Sequence, residues 1–466
     1  MIVNIKEVTD ALSKINEFAS TEKVVPGVML DISNKTLNLC YSDGHKSLFT
    51  SIDCQNEETD VMGKVVVDYK AFYNAIANLQ PSGNIKVDDV YMAFKGNLIS
   101  ISAEQKLVMV NEETGDENVK VMSRKKTDVA WVVPTANIKV ALLDRMNYSS
   151  IFEADATDEW DIKELIDSLS RLSTEKGKLV YIYPPEQTMF VANTANMCVV
   201  PIRENEVSQE DKDELLGELT ETGEQDKFNE KLQGLKNRVH FATVISTANA
   251  KSLCGVLGKI SNADKVFLHM KDNYLNIFTG DDKVGIWMET SAGNRMHTGS
   301  YARYKSMNFT SYQMNFIREF LVDNIKSTIN TTSSENVAFA FEEDPETLET
   351  KLVIATASQG AMNNESKVII TNLIDTLGDI SSRKLNISLK VFADMLSQVK
   401  SDMIALDVCI SPDGTSCIRL AEIDIEKVAD EEDKIASIDD EELKKQKRID
   451  YRDNTLGVTQ YTLLSR

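Results

Sequence analysis

The chain has 466 residues, 42% of them hydrophobic, and its 73 acidic against 51 basic side chains leave a formal charge of −22. That length suits about three domains with cores of their own, and no apolar run approaches the ~18 residues of a membrane span. The acidic total argues against a static, strongly basic nucleic-acid binder, because phosphate contacts need positive charge. The N-terminal Met1-Ile2-Val3-Asn4-Ile5-Lys6 lacks the pattern of a secretory signal. Cys40, Cys54, Cys198, Cys254, Cys409 and Cys417 are scattered without a C-x-x-C pair. They read as small residues of a reduced, cytosolic protein.

In chain order, one unit recurs: an amphipathic helix followed by two short apolar runs. Helix 6–18 leads to runs 27–32 and 36–41 across the turn Ser33-Asn34-Lys35. Helix 68–79 leads to 91–94 and 98–102 across Lys95-Gly96-Asn97. Helix 162–172 leads to 178–183 and 188–192 across Pro184-Pro185-Glu186. Helix 248–260 leads to 266–270 and 274–278 across Lys271-Asp272-Asn273. Helix 314–325 leads to 337–341 and 351–357, and helix 389–399 to 404–410 and 416–420 across Pro412-Asp413-Gly414. Gly, Asn, Asp and Pro between runs of Val, Ile, Phe and Tyr are hairpin chemistry. Six helices in three pairs predict an α+β chain of three tandem domains, each of two helix-plus-antiparallel-sheet half-modules. The expected boundaries fall in polar stretches 111–128 and 291–299, giving domains 1–120, 121–295 and 296–466. Arg124-Lys125-Lys126 then reads as solvated linker charge.

Two segments stand apart. Residues 204–236 and 422–450 are acidic and helix-prone, with little apolar periodicity, and read as solvated insertions into the second and third domains. The basic residues have their own spacing. Lys6 and Lys14, Lys163 and Arg171, Lys251 and Lys259, and Arg318 and Lys326 are each eight apart, and Lys390 and Lys400 ten apart, while the second helix carries only Lys70. Eight positions turn about 80° round a helix, so such a pair shares one broad face. If the six helices surround a common centre, these residues gather there and attract a sugar-phosphate backbone without reading sequence.

No catalytic constellation is visible. His45, His240, His269 and His297 lie far apart without a metal-ligand spacing, and no phosphate-binding glycine loop occurs. Asp43-Gly44-His45 is not accompanied by a nucleophile elbow, and the acidic stretches lack the pattern of a calcium loop. The chain reads as a non-enzyme without cofactor or metal.

At this point the chain resembles a DNA sliding clamp of the bacterial polymerase III beta-subunit type, in a divergent, phage-like version. The resemblance covers nearly all of the chain outside the two acidic insertions. It rests on Thr21-Glu22-Lys23-Val24-Val25-Pro26-Gly27-Val28-Met29-Leu30 after the first helix, and on the turn Ser42-Asp43-Gly44-His45-Lys46. The latter is similar to the family's Thr-Asp-Gly-His-Arg, best known from its second domain; there this chain has Asn193-Thr194-Ala195-Asn196-Met197 instead. Gly299-Ser300-Tyr301-Ala302-Arg303-Tyr304 resembles the entry to the third domain, and Tyr461-Thr462-Leu463-Leu464-Ser465-Arg466 the closing strand.

The resemblance implies a head-to-tail homodimeric ring round duplex DNA, loaded by an ATP-driven clamp loader and tethering the replicative polymerase. The DNA-facing set would be Lys6, Lys14, Lys23, Lys70, Lys163, Arg171, Lys176, Lys251, Lys259, Arg318, Lys326, Lys390 and Lys400. A partner-peptide pocket would involve Thr194, Asn196, Met197, Tyr304, Met307, Leu463, Leu464 and Arg466. The subunit interface would join a late first-domain strand at Leu107 and Met109 to Ile325 and Ile329 of the third domain. Such a protein works in the cytoplasm, the host's if phage-encoded, and needs no membrane. The competing reading is a clamp-like scaffold or structural phage protein that does not encircle DNA.

Overall fold

The computed structural model describes residues 1–19, 27–33, 35–56, 63–79, 85–95, 97–110, 117–132, 157–173, 178–218, 225–260, 263–271, 273–279, 283–290, 299–307, 310–315, 336–343, 346, 350–357, 365–370, 373–377, 385–401, 403–410, 416–444, 447 and 456–464. Its helices are α1 (Ile5–Phe18), α2 (Tyr69–Ala77), α3 (Ile162–Leu172), α4 (Gln209–Glu218), α5 (Gln225–Lys236), α6 (Thr247–Leu257), α7 (Gly299–Lys305), α8 (Leu389–Gln398) and α9 (Ile425–Ala436). Their contacts divide the chain into unit 1, residues 1–184 and 204–295, and unit 2, residues 185–203 and 296–466.

The repeating module has one strand more at its start than the periodicity announces. Ile2–Asn4, Gly63–Val67, Thr157–Asp161 and Thr243–Ser246 each run into a helix within a residue or two. The junction residue caps that helix. Asn4 Oδ1 accepts from the amide of Lys6 at 2.9 Å, Asp68 Oδ1 from Ala71 at 2.7 Å, Asp161 Oδ1 from Glu164 at 3.0 Å, and Ser246 Oγ from Asn249 at 3.1 Å. Short polar side chains satisfy first-turn amides that have no intrahelical acceptor. A leading strand also corrects the fifth helix. Thr310–Asn315 is a strand, paired with Met403–Ile410 and Leu373–Leu377, so Met314 is extended rather than helical. Residues 316–325, expected to continue that helix, lie outside the described residues.

In unit 1, one antiparallel sheet runs in the order Ile2–Asn4, Asp89–Lys95, Leu98–Val110, Glu117–Val132, Gly63–Val67, Val28–Ile32, Thr36–Ser42, Lys46–Gln55, Val284–Glu289, Tyr274–Thr279, Lys265–Lys271 and Thr157–Asp161. Ile2–Asn4 also pairs with Lys46–Gln55, so the first eight of these strands close on themselves. The polar stretch expected as a linker is therefore corrected in part. Residues 117–132 form a strand paired along Leu98–Val110, and the expected boundary at 120 falls inside it. Arg124 is exposed, as a solvated charge should be, and bonds Glu104 through Nε at 2.9 Å. A strand with one face in water reads as polar, which is why its sequence resembles a linker.

The sheet passes from the first module pair to the second at Val284↔Thr50 through Met288↔Lys46. Met29, Cys40, Phe49, Phe278 and Trp287 form the core cluster at that seam. Gly285 sits opposite Phe49, and a Cβ there would lie 1.6 Å from the Phe49 ring. Gly285→Ala is accordingly expected to cost about 1–3 kcal/mol through overpacking, measurable as a lower unfolding midpoint for unit 1.

Unit 2 contains the sheet Thr188–Ala192, Asn196–Pro201, Leu456–Leu464, Ser416–Ile423, Met403–Ile410, Thr310–Asn315 and Leu373–Leu377. A second sheet of four strands runs Glu365–Ile370, Thr350–Ala357, Asn336–Glu343 and Leu385–Ser388. The last strand feeds α8, again as a strand-to-helix entry. Two strands that the sequence assigns to the second domain, Thr188–Ala192 and Asn196–Pro201, thus belong to the same compact unit as the third. No helix among the described residues is long and apolar enough to cross a membrane.

Candidate nucleic-acid and partner-binding sites

Four helices of unit 1 form a layer in which α1 packs against both α2 and α6, and α6 packs against α3. Each turns an apolar stripe inward. In α1 this is Ile5, Val8, Ala11, Leu12, Ile15 and Phe18; in α6 it includes Ala250, Leu253, Val256 and Leu257. Lys6, Lys70, Lys163, Lys251 and Lys259 are exposed, and Lys14 is half-buried. In unit 2, Lys390 and Lys400 are exposed on α8 and just beyond it.

Two members of the expected set have other duties. Arg171 is buried, its Nε 2.8 Å from Asp167 Oδ2 one turn earlier, and this corrects its assignment as a DNA-facing residue. The broad 80° face shared with Lys163 reaches the edge of the apolar stripe, and Arg171 stands on the buried side of it. Lys259 is exposed, yet its Nζ donates to Ser13 Oγ at 3.1 Å and lies 3.2 Å from Glu17 Oε2, tying α6 to α1. The exposed side of α1 also carries Glu7 and Asp10 beside Lys6. The layer therefore mixes signs and offers phosphate only modest attraction. Lys23, Lys176, Arg318 and Lys326 lie outside the described residues.

The turn at residues 42–46 has a structural role. Asp43 Oδ1 accepts from the amides of His45 and Lys46, both at 2.8 Å, and Gly44 has φ +94°, a conformation costly to other residues. Lys46 is buried; its Nζ donates to Phe18 O at 2.7 Å, at the last turn of α1, and lies 5.1 Å from the Phe18 ring centroid. A cation at a helix C-terminus meets the negative end of its dipole.

In unit 2 the expected pocket residues collect round the closing strand. Asn196 pairs with Thr462 and Met197 with Tyr461 in the ladder, and Thr462 Oγ1 lies 3.2 Å from Asn196 Oδ1. Leu463 N donates to Ala195 O at 2.9 Å, which places half-buried Leu463 beside exposed Thr194 in the turn. Tyr304 of α7 is buried against Tyr461, ring centroids 5.6 Å apart, and Met307 N donates to Tyr304 O at 3.3 Å. The Tyr304 hydroxyl is buried with no hydrogen-bond partner among the described residues, and burial pushes its pKa up. The backbone of Leu464 ends the strand, and Arg466 lies outside the described residues.

Other members of this cluster escape sequence reading. Tyr301 stacks on Phe190 at 4.3 Å and donates its hydroxyl to Glu186 Oε2 at 2.6 Å, with Lys305 Nζ 3.4 Å from the same carboxylate. Tyr301 and Tyr304, three apart on α7, were the available signal: at that spacing both side chains meet one surface.

Two residues of the expected subunit contact, Leu107 and Met109, lie on an inner strand. Leu107 is flanked on both sides, by Ile85 and by Lys120, and Met109 pairs with Asn118, so their strand is internal to the sheet. Its neighbour Glu117–Val132 runs on towards Gly63–Val67. Among the described residues its far edge is paired only at Trp131 and Val132, and Val119, Val121 and Met122 are 51%, 52% and 55% exposed. Ile325 and Ile329 lie outside the described residues.

By sequence, no family model and no curated protein matches the chain. Solved structures match it along its length. The Helicobacter pylori beta clamp in complex with 5-chloroisatin aligns with a TM-score of 0.61 at 12% identity, over 100% of this chain and 99% of that one. The DNA polymerase III beta subunit of Thermotoga maritima gives 0.58 at 11% identity, with coverage of 100% and 99%. The DNA polymerase III subunit beta of Pseudomonas aeruginosa gives 0.61 at 10% identity, again over 100% and 99%. The chain has the α+β, three-domain fold of the bacterial beta clamp. At such identities the fold is what is shared.

Proposed function

We propose that this chain is a sliding clamp, a non-enzymatic processivity factor that encircles duplex DNA without reading its sequence. The observation that carries this reading is a full-length clamp fold whose packed helices in unit 1 bury their apolar stripes and expose Lys6, Lys70, Lys163 and Lys251. The mixed charge of the layer suits a ring that holds DNA topologically, since a closed ring needs only weak contacts. An ATP-driven loader would open and close it, and the replicative polymerase would dock a short peptide near Tyr304, Met197 and Leu463. It would work where the DNA is, in the cytoplasm of a bacterial cell.

Ring closure would come from a head-to-tail homodimer. Its first-domain side would be the far side of Glu117–Val132, which among the described residues is unpaired up to Ala130 and carries exposed Val119, Val121 and Met122. Val121→Glu with Met122→Glu is expected to shift the particle to one subunit at micromolar concentration, read by light scattering, with unchanged circular dichroism. Unaltered mass would place the interface elsewhere.

The decisive test loads the protein on a nicked circular plasmid with its loader and then linearises the plasmid. A ring is retained on the circle in moderate salt and lost after cutting. Equal retention on both forms rejects encirclement and favours the second reading, a scaffold that binds partners off DNA, for which the charge of −22 and the carboxylates Glu7 and Asp10 beside Lys6 speak.

A further inference from the structure

The acidic insertion of unit 1 packs α4 against α5 and closes at its foot, where Asn205 N donates to Lys236 O at 2.9 Å. Between that foot and the strand Thr157–Asp161 lies a cleft of about 620 Å³. Its basic side chains are already engaged. His240 Nδ1 lies 2.6 Å from Asp158 Oδ1, Arg238 pairs with Glu164, and Lys265 pairs with Glu159. Glu206, Asp211 and Asp264 line the same cleft, are exposed, and have no cationic partner among the described residues. The cleft therefore keeps a surplus of negative charge.

A second observation is independent of that charge. Trp160 also lines the cleft; it is 1% exposed, and its indole Nε1–H has no acceptor among the described residues. The guanidinium of Arg238 lies over its ring, 5.8 Å from the centroid. A buried donor without an acceptor carries a free-energy cost that an incoming acceptor removes.

These features select the occupant. Among the described residues no three His, Cys, Asp or Glu side chains converge as metal ligands, so a compact metal ion does not fit. An extended cation bearing its own acceptors does. We propose that this cleft docks a basic peptide segment of a partner protein, its Arg or Lys side chains meeting Glu206, Asp211 and Asp264 and a backbone carbonyl accepting from Trp160 Nε1–H once the Arg238 side chain moves aside. Docking here is independent of ring closure and of DNA.

Calorimetric titration of the full chain at low ionic strength with a short blocked peptide of alternating arginine and glycine tests this. Saturable one-to-one binding is expected, weakened about tenfold or more in Glu206→Gln/Asp211→Asn/Asp264→Asn. The control Glu426→Gln/Asp430→Asn/Asp433→Asn removes the same charge from α9 and is expected to leave Kd within about twofold. Trp160→Phe should weaken binding about threefold, as loss of one hydrogen bond does. Equal weakening by the two charge sets, or no saturable binding by the unsubstituted chain, overturns the docking site. An unchanged Kd in Trp160→Phe overturns the role of the indole.

Discussion

Replacing Asp407 by alanine is expected to destabilise unit 2 by about 3–5 kcal/mol, the cost of breaking a buried ion pair from one side. Asp407 and Arg419 face each other across neighbouring strands, with Arg419 Nε 2.5 Å from Asp407 Oδ2. The aspartate side chain is fully buried and the arginine 7% exposed. Alanine would leave a guanidinium in the sheet interior without its carboxylate. For a unit of this size each kcal/mol moves the midpoint by roughly 2–4 °C, so a fall of roughly 6–20 °C is expected in differential scanning calorimetry. The double variant Asp407→Leu/Arg419→Met separates charge from packing: apolar replacement of a whole pair is often neutral or better. A double variant as unstable as Asp407→Ala would show that the strands need the pair for its geometry.

The second large effect concerns DNA. Lys163→Glu with Lys251→Glu is expected to lower affinity for short linear duplex about tenfold or more and to reduce the magnitude of the salt slope by about 2, one for each phosphate no longer neutralised. These two are chosen because both are exposed on α3 and α6, whereas Lys259 is held by Ser13 and Glu17 and Arg171 by Asp167. Lys427→Glu with Lys434→Glu, the same charge change on α9, should leave the slope unaltered. A slope that moves equally in both variants would mean that net charge alone is being read. With a loader present, the first variant should also load more slowly on the nicked circle while its circular dichroism stays unchanged.

Much of the fold was legible because its signals are short-range. The stripe Val8, Ala11, Leu12 and Ile15 gives α1 its helical period, and the turns at 95–97 and 271–273 separate strands that pair as hairpins. The leading strands were missed for the same reason: Ile2–Asn4 and Thr243–Ser246 are three and four residues long, too short to show a period of two. Their polar ends, Asn4 and Ser246, cap the helices that follow.

By itself, then, the sequence determined the apolar stripes of helices such as α1 and α6 and the α+β class, because each follows from periods of 3.6 and 2 within one segment. Tertiary structure decided which charges remain available. The bond from Lys259 to Glu17 spans 242 positions and that from Thr462 to Asn196 spans 266, distances over which no local pattern carries information. It also decided that, among the described residues, Glu117–Val132 pairs along its second side only at Trp131 and Val132, whereas Leu107 is flanked on both sides. An edge is a property of what fails to pair with a strand, and only the folded sheet contains it.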